Sequence, residues 1–296
     1  MSSRIRRFQF GLLAIASAFA CSGRVEAALL AYEGFDYAEG SLAGQNGGSG
    51  WGGAWSAGSV VPGSLSYGSL ATTGNSGLIS GSGGSVSAYR NFAAEYGAGT
   101  YYISFVGQRL STHGTLDDNT VRASSFQIHK GFGTSGDERL SAGKATTAAP
   151  NQKYNWALFS DGSGTLLEES AEPITNLAFV LMEFVITDDI DGQGPGVSTD
   201  EARMWINPSL NGPLGAPDVE LTQAEGNNHD YLFGRVRIFS GNTSAQGLYA
   251  DFAIDEIRLG TTLADVGVNA VPEPTAAILA MVGFVFVGRS RRRTDR

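Results

Sequence analysis

The sequence predicts an all-β sandwich, and three observations carry that expectation. Nine runs rich in Val, Ile, Phe, Tyr and Leu recur at strand length: 29–37, 88–92, 100–110, 123–129, 154–159, 177–187, 202–207, 231–239 and 247–260. Turn dipeptides separate them, among them Asp161-Gly162, Asp191-Gly192, Asn211-Gly212 and Gly241-Asn242, in a chain with 41 glycines. No stretch between the ends sustains helical periodicity with caps. Many strands without intervening helices fit a sandwich or jelly roll.

The runs differ in what they imply. In 123–129, Phe126 and Ile128 share one face and polar residues the other, as in a half-buried strand. The segment 177–187 is almost wholly apolar, which predicts a strand covered on both sides. In 251–260, Phe252 and Ile254 share one parity while Ile257 and Leu259 take the other. The apolar face therefore switches at Asp255-Glu256, and a β-bulge is expected there.

The ends read differently. Arg4, Arg6 and Arg7 precede an apolar run from Phe8 to Ala20, and Val25-Glu26-Ala27 supplies small residues before Ala28. This is the layout of a secretory signal peptide over residues 1–27, cut by signal peptidase. An uncleaved anchor is the alternative. Lipidation at Cys21 is disfavoured by the Phe19-Ala20 that precedes it. At the other end, Val271-Pro272-Glu273-Pro274 leads into an apolar run at 276–288 and a basic tail at 289–296 with Arg289, Arg291, Arg292 and Arg293. Thirteen helical residues reach about 20 Å, against a hydrocarbon core of about 30 Å. Snorkelling arginines and local bilayer thinning would shorten that gap. The basic cluster would lie in the cytoplasm and the domain before it outside.

Pro272, Glu273 and Pro274, the apolar segment and the arginine-rich end together resemble the PEP-CTERM sorting signal. The resemblance covers residues 267–296 and implies an exosortase partner that removes the tail during export. A permanent single-pass anchor is the alternative to a transient one. Within 28–266, the opening Ala31-Tyr32-Glu33-Gly34-Phe35-Asp36, the strand Met204-Trp205-Ile206-Asn207-Pro208 and the closing Asp251–Gly260 run resemble laminin-G-like, concanavalin A-type jelly rolls. That resemblance implies that the first and last strands pair in one sheet. Calcium near a sheet edge is a recurrent feature of such domains.

Without the two ends, Leu29 to Pro274 carries 11 Lys and Arg against 27 Asp and Glu, a net charge of −16. Such a surface repels nucleic acid and attracts divalent cations. Cys21 is the one cysteine of the chain, so the domain has no disulfide and depends on its core.

Candidate chemistry is sparse. Glucanases of concanavalin-like fold carry a Glu-x-Asp-x-x-Glu run that aims carboxylates into one cleft. Glu183 is followed by Val185 at the second position, and the adjacent Asp255 and Glu256 point to opposite sides, with Arg258 or backbone as structural partners. No Gly-x-Ser-x-Gly stands between a strand and a helix. His113, His129 and His229 lack zinc-type spacing and are expected at surfaces or edges. Asp188, Asp189 and Asp191 form an acidic loop that either holds Ca²⁺ or is an ordinary turn. Trp51 and Trp55, in a glycine-rich loop, either stack on a sugar or plug one end of the sandwich. Trp156 and Trp205 are expected in the core. The expectation is an exported, non-catalytic cell-surface or matrix protein, with an exopolysaccharide or other glycan as candidate ligand. The alternatives are a glycan-degrading enzyme on the same fold and a purely structural coat protein.

Overall fold

The computed structural model describes residues 29–112, 123–131, 138–144, 155–160, 165–187, 200–222, 230–243 and 248–269. Two antiparallel sheets face each other, and the described residues contain no helix. The larger sheet runs β13 (Val219–Leu221), β12 (Glu201–Ile206), β11 (Ala178–Ile186), β6 (Gly99–Thr112), β16 (Leu248–Gly260), β4 (Ser76–Ser80), β3 (Ser59–Val61) and β2 (Gly40–Ser41). β1 (Leu29–Glu33) and β15 (Asn242–Thr243) also pair with β16. The smaller sheet runs β10 (Thr165–Pro173), β9 (Asn155–Ser160), β8 (Glu138–Lys144), β7 (Ser124–His129), β14 (Phe233–Ser240) and β5 (Val86–Tyr96).

The first and last strands pair, with Tyr32 opposite Arg258 and Glu33 opposite Ile257. The expected bulge is present: the β16–β6 register shifts between Asp255 and Arg258, and Glu256 has φ 54°. The shift lets Phe252 and Ile254, then Ile257 and Leu259, all reach the main core.

That core lies between the sheets and includes Phe105, Phe126, Trp156, Val236 and Phe252. A second apolar cluster lies on the other face of the larger sheet, where Val106, Phe179, Leu181 and Trp205 meet Val266 and Val268. β11 thus sends Val180, Met182 and Phe184 to one core and Phe179 and Leu181 to the other. Its unbroken apolarity follows from burial on both faces.

Candidate functional site

The glycine-rich loop that carries Trp51 and Trp55 runs between β1 and the edge strand β5. Ser49 and Tyr32 exchange two backbone hydrogen bonds, and the amide of Gly52 donates to the Asn91 carbonyl at 2.9 Å. Gly48 and Gly50 sit at positive φ with backbone oxygens of β1 where a Cβ would stand, so glycine is needed for this approach.

Trp55 is buried and Trp51 half-buried. Trp55 is 2% exposed and its Nε1 donates to Glu33 Oε2 at 2.9 Å. Trp51 donates to the Tyr32 carbonyl at 2.8 Å and stacks on Phe92 with centroids 4.9 Å apart. The Arg90 guanidinium lies 4.7 Å from the Trp51 ring and 5.6 Å from the Trp55 ring. It forms a buried ion pair with Glu33 and donates to the carbonyls of Gly53 and Gly47 at 2.9 and 2.6 Å. Trp55 is thus buried and Trp51 half-buried, packed where β1 meets the edge strand of the smaller sheet.

Asp188, Asp189, Asp191, His113, His229 and the motif Val271-Pro272-Glu273-Pro274 lie outside the described residues. No group of three or more His, Cys, Asp or Glu able to hold a metal occurs among the described residues. Asp255 and Glu256 are held by the structure around them. Asp255 accepts from the Ser64 hydroxyl at 2.5 Å and from the amides of Leu65 and Glu256, each at 2.8 Å. Glu256 accepts from the Thr73 amide at 2.7 Å and from Arg258 at 2.5 Å. Trp156 and Trp205 are buried, at 0% and 7% exposure.

His129 departs from the expected surface position. It is 1% exposed in β7, with β8 and β14 on either side. Alternation explains what surrounds it: Phe126, Ile128, Leu140, Val236 and Ile238 point into the main core, so the intervening residues line the opposite face. There Arg235 stands opposite both His129 and Asn91, and Arg237 stands opposite both Gln127 and Tyr89. Gln127 donates its amide to the Ser125 hydroxyl at 3.0 Å, so its Oε1 is the acceptor facing His129 Nε2 at 3.4 Å. On that reading of the network, Nδ1 is the unprotonated ring nitrogen. It is buried without a hydrogen-bond partner. Burial, with Arg237, Arg235 and Arg139 nearby, pushes the His129 pKa down to about 3.

Glu138 and Asp230 are each beside an arginine. Glu138 lies 3.5 Å from Arg237 and accepts from the Ser141 hydroxyl, and Asp230 lies 3.6 Å from Arg139. Arg235 has no salt bridge among the described residues, and its Nε and Nη2 are buried without hydrogen-bond partners. Its guanidinium rests 4.6 Å from the Tyr89 ring. A pocket of about 190 Å³ opens beside it, walled by Gly53, Ala54, Ser56, Tyr89 and Asn91. The loop that carries the two indoles thus lends backbone to this pocket. A larger groove of about 580 Å³ lies along the other sheet, but the hydroxyl of its one ionisable lining residue, Tyr102, is engaged by Glu183 at 2.8 Å.

The sequence signal for this face is two pairs of polar residues spaced by two, Gln127/His129 and Arg235/Arg237, alternating with apolar Phe126, Ile128, Val236 and Ile238. Alternation marks a polar face, but neither the pocket nor the missing partners of Arg235.

No family model and no curated protein matches the chain. Among solved structures it is similar to a glycosyl hydrolase family 16 protein from Mycobacterium smegmatis, at 12% identity over 78% of this chain and 100% of that one, with TM-score 0.40. It is similar to the metal-free carbohydrate recognition domain of Emp46p at 10% identity, 64% and 84% coverage and TM-score 0.37. For the exoplasmic/lumenal domain of VIP36 with Ca²⁺ and Man3GlcNAc, the figures are 11%, 66%, 82% and 0.34. Scores this low carry no argument for this chain.

Proposed function

We propose that this chain is an exported, non-catalytic glycan-binding protein of the cell envelope or extracellular matrix, built on a concanavalin A-like jelly roll and sorted by an exosortase. One observation carries the binding reading. The polar face of β5, β7, β8 and β14 borders a pocket and holds buried hydrogen-bonding atoms of Arg235 and His129 that have no partner. Buried polar groups are ordinarily paired, and each exception asks for an explanation. A saccharide offers donors and acceptors in number, and one unit fits a space of this size. The non-catalytic reading is supported by Glu138 and Asp230, each beside an arginine, which leaves Glu95 of β5 as the one described acid nearby without an ion pair. Glycoside hydrolysis asks for two carboxyl groups in the roles of acid and nucleophile or base. The pairing of β1 with β16 supports the jelly-roll reading.

A glycan array of neutral and acidic oligosaccharides, read alongside a reducing-sugar assay, tests this. Binding without release of reducing ends is expected. Turnover would move the protein to the enzyme class, and silence in both would leave a coat protein. Export has its own test. Intact mass of envelope material is expected to show a chain that begins near Ala28 and lacks the arginines from Arg289 to Arg296. A mature species that keeps that tail would remove the sorting proposal.

A further inference from the structure

We infer that the pocket beside Arg235 seats the oxyanion of an acidic saccharide unit; this deepens the glycan reading above and rests on it. Arg235 is 2% exposed, and two of its three guanidinium nitrogens are buried without a hydrogen-bond partner. A guanidinium presents a planar fork of donors that matches the two oxygens of a carboxylate. Taking such a group out of water unpaired is costly, so a folded chain that does so favours any anion able to enter. Among the described acids nearby, Glu95 at the end of β5 is exposed and accepts from the Gly131 amide at 2.8 Å. Glu138 is drawn to Arg237 and Ser141, and Asp230 to Arg139.

The surroundings sharpen the preference. Arg237, next on the same face of β14, adds positive charge, and the contact Arg235 makes is with the face of the Tyr89 ring. His129 opposite it is held neutral and contributes no counter-charge. Gly53, on the pocket wall, has open space where a Cβ would stand, which leaves room for a ring substituent. The domain as a whole is strongly acidic, so a dense polyanion is repelled at long range. A glycan with sparse acidic units, one of which is seated at Arg235, meets both conditions.

The test uses the full chain and oligosaccharides that end in a single glucuronate, their methyl esters, and matched chains with a sulfate ester in place of the carboxylate. Calorimetry is expected to show the acid binding about 10- to 100-fold more tightly than its ester, the range of a charge-assisted hydrogen bond. Arg235→Gln is expected to abolish that difference while neutral contacts persist. Its melting temperature should not fall, because it removes an unpaired buried cation. Arg203→Gln, on the other sheet, should leave the difference intact. A sulfate that matches the carboxylate assigns the pocket to oxyanions in general; a weaker one assigns it to carboxylates. Equal binding of acid and ester, or a difference that survives Arg235→Gln, overturns this inference and leaves the glycan reading standing. Absence of binding by every chain, neutral or acidic, removes both.

Discussion

Glu33→Gln is expected to destabilise the domain by about 3–5 kcal/mol, the cost of leaving one member of a buried ion pair without its charge. Glu33 is 1% exposed on β1, and the Arg90 side chain opposite it on β5 is 0% exposed. The pair therefore bridges the two sheets where the indoles pack. Glu33 also accepts from the Phe35 amide, the Tyr37 hydroxyl and Trp55 Nε1, at 2.8, 2.8 and 2.9 Å. A glutamine amide in that position turns its NH₂ toward some of these donors and strands them. Against a total stability of about 5–15 kcal/mol, the loss is large. Because Arg90 also pins the carbonyls of Gly47 and Gly53, the loop that walls the pocket should loosen with it. Urea melts followed by circular dichroism and by tryptophan emission would measure both effects. A loss under about 1 kcal/mol, the scale of an exposed pair, would show that Glu33 and Arg90 are solvated in solution.

The same cluster shows where sequence reading ends. Long strands with clean alternation, such as β7 and β14, are visible in the sequence, as is the parity switch in β16. Short or polar strands are not. β8 reads Glu-Arg-Leu-Ser-Ala-Gly-Lys, with Glu138, Ser141 and Lys144 all buried, and no propensity marks it as a central strand. Trp51 and Trp55 look from the sequence as suited to a sugar as to a plug. Glu33 and Arg90, which hold Trp55 in place, lie 22 and 35 residues from it in the chain, on different sheets. His129, one of three histidines without zinc-type spacing, reads from the sequence as a surface or edge residue. What places it inside is its position between β8 and β14, a tertiary fact. The spacing of Arg235 and Arg237 was legible, but which of the two has an acid partner was not.

The titration of His129 and Asp255 gives a second large effect, visible only when the two are separated. Burial and three nearby arginines lower the His129 pKa from 6.5 to about 3. The folded state holds it neutral while the unfolded chain takes up a proton below pH 6.5, so stability from this site is lost as pH falls from 6.5 toward 3. Burial raises the Asp255 pKa from 3.8 to about 7, opposed by hydrogen bonds from Ser64, Leu65 and Glu256. Here the folded state keeps a proton that the unfolded chain releases, so stability is lost as pH rises from 3.8 to 7. Between about pH 4 and 6.5 the two slopes have opposite sign and similar size, near 1.4 kcal/mol per pH unit each. The wild type hides them. His129→Gln is expected to gain on the wild type by about 3 kcal/mol between pH 6.5 and pH 4. Asp255→Asn should gain by a similar amount in the other direction, between pH 4 and 7, on top of a constant penalty for its lost hydrogen bonds. Burial also raises Asp200 and Glu169, whose contributions cancel in each comparison with the wild type, and Glu256, which cancels in the His129 comparison alone because its charge acts on Asp255. Denaturant melts at half-unit pH steps would resolve both slopes. A His129→Gln curve parallel to the wild type across this window would mean that the histidine titrates normally, in contact with water, and that the polar face of the smaller sheet is open rather than buried.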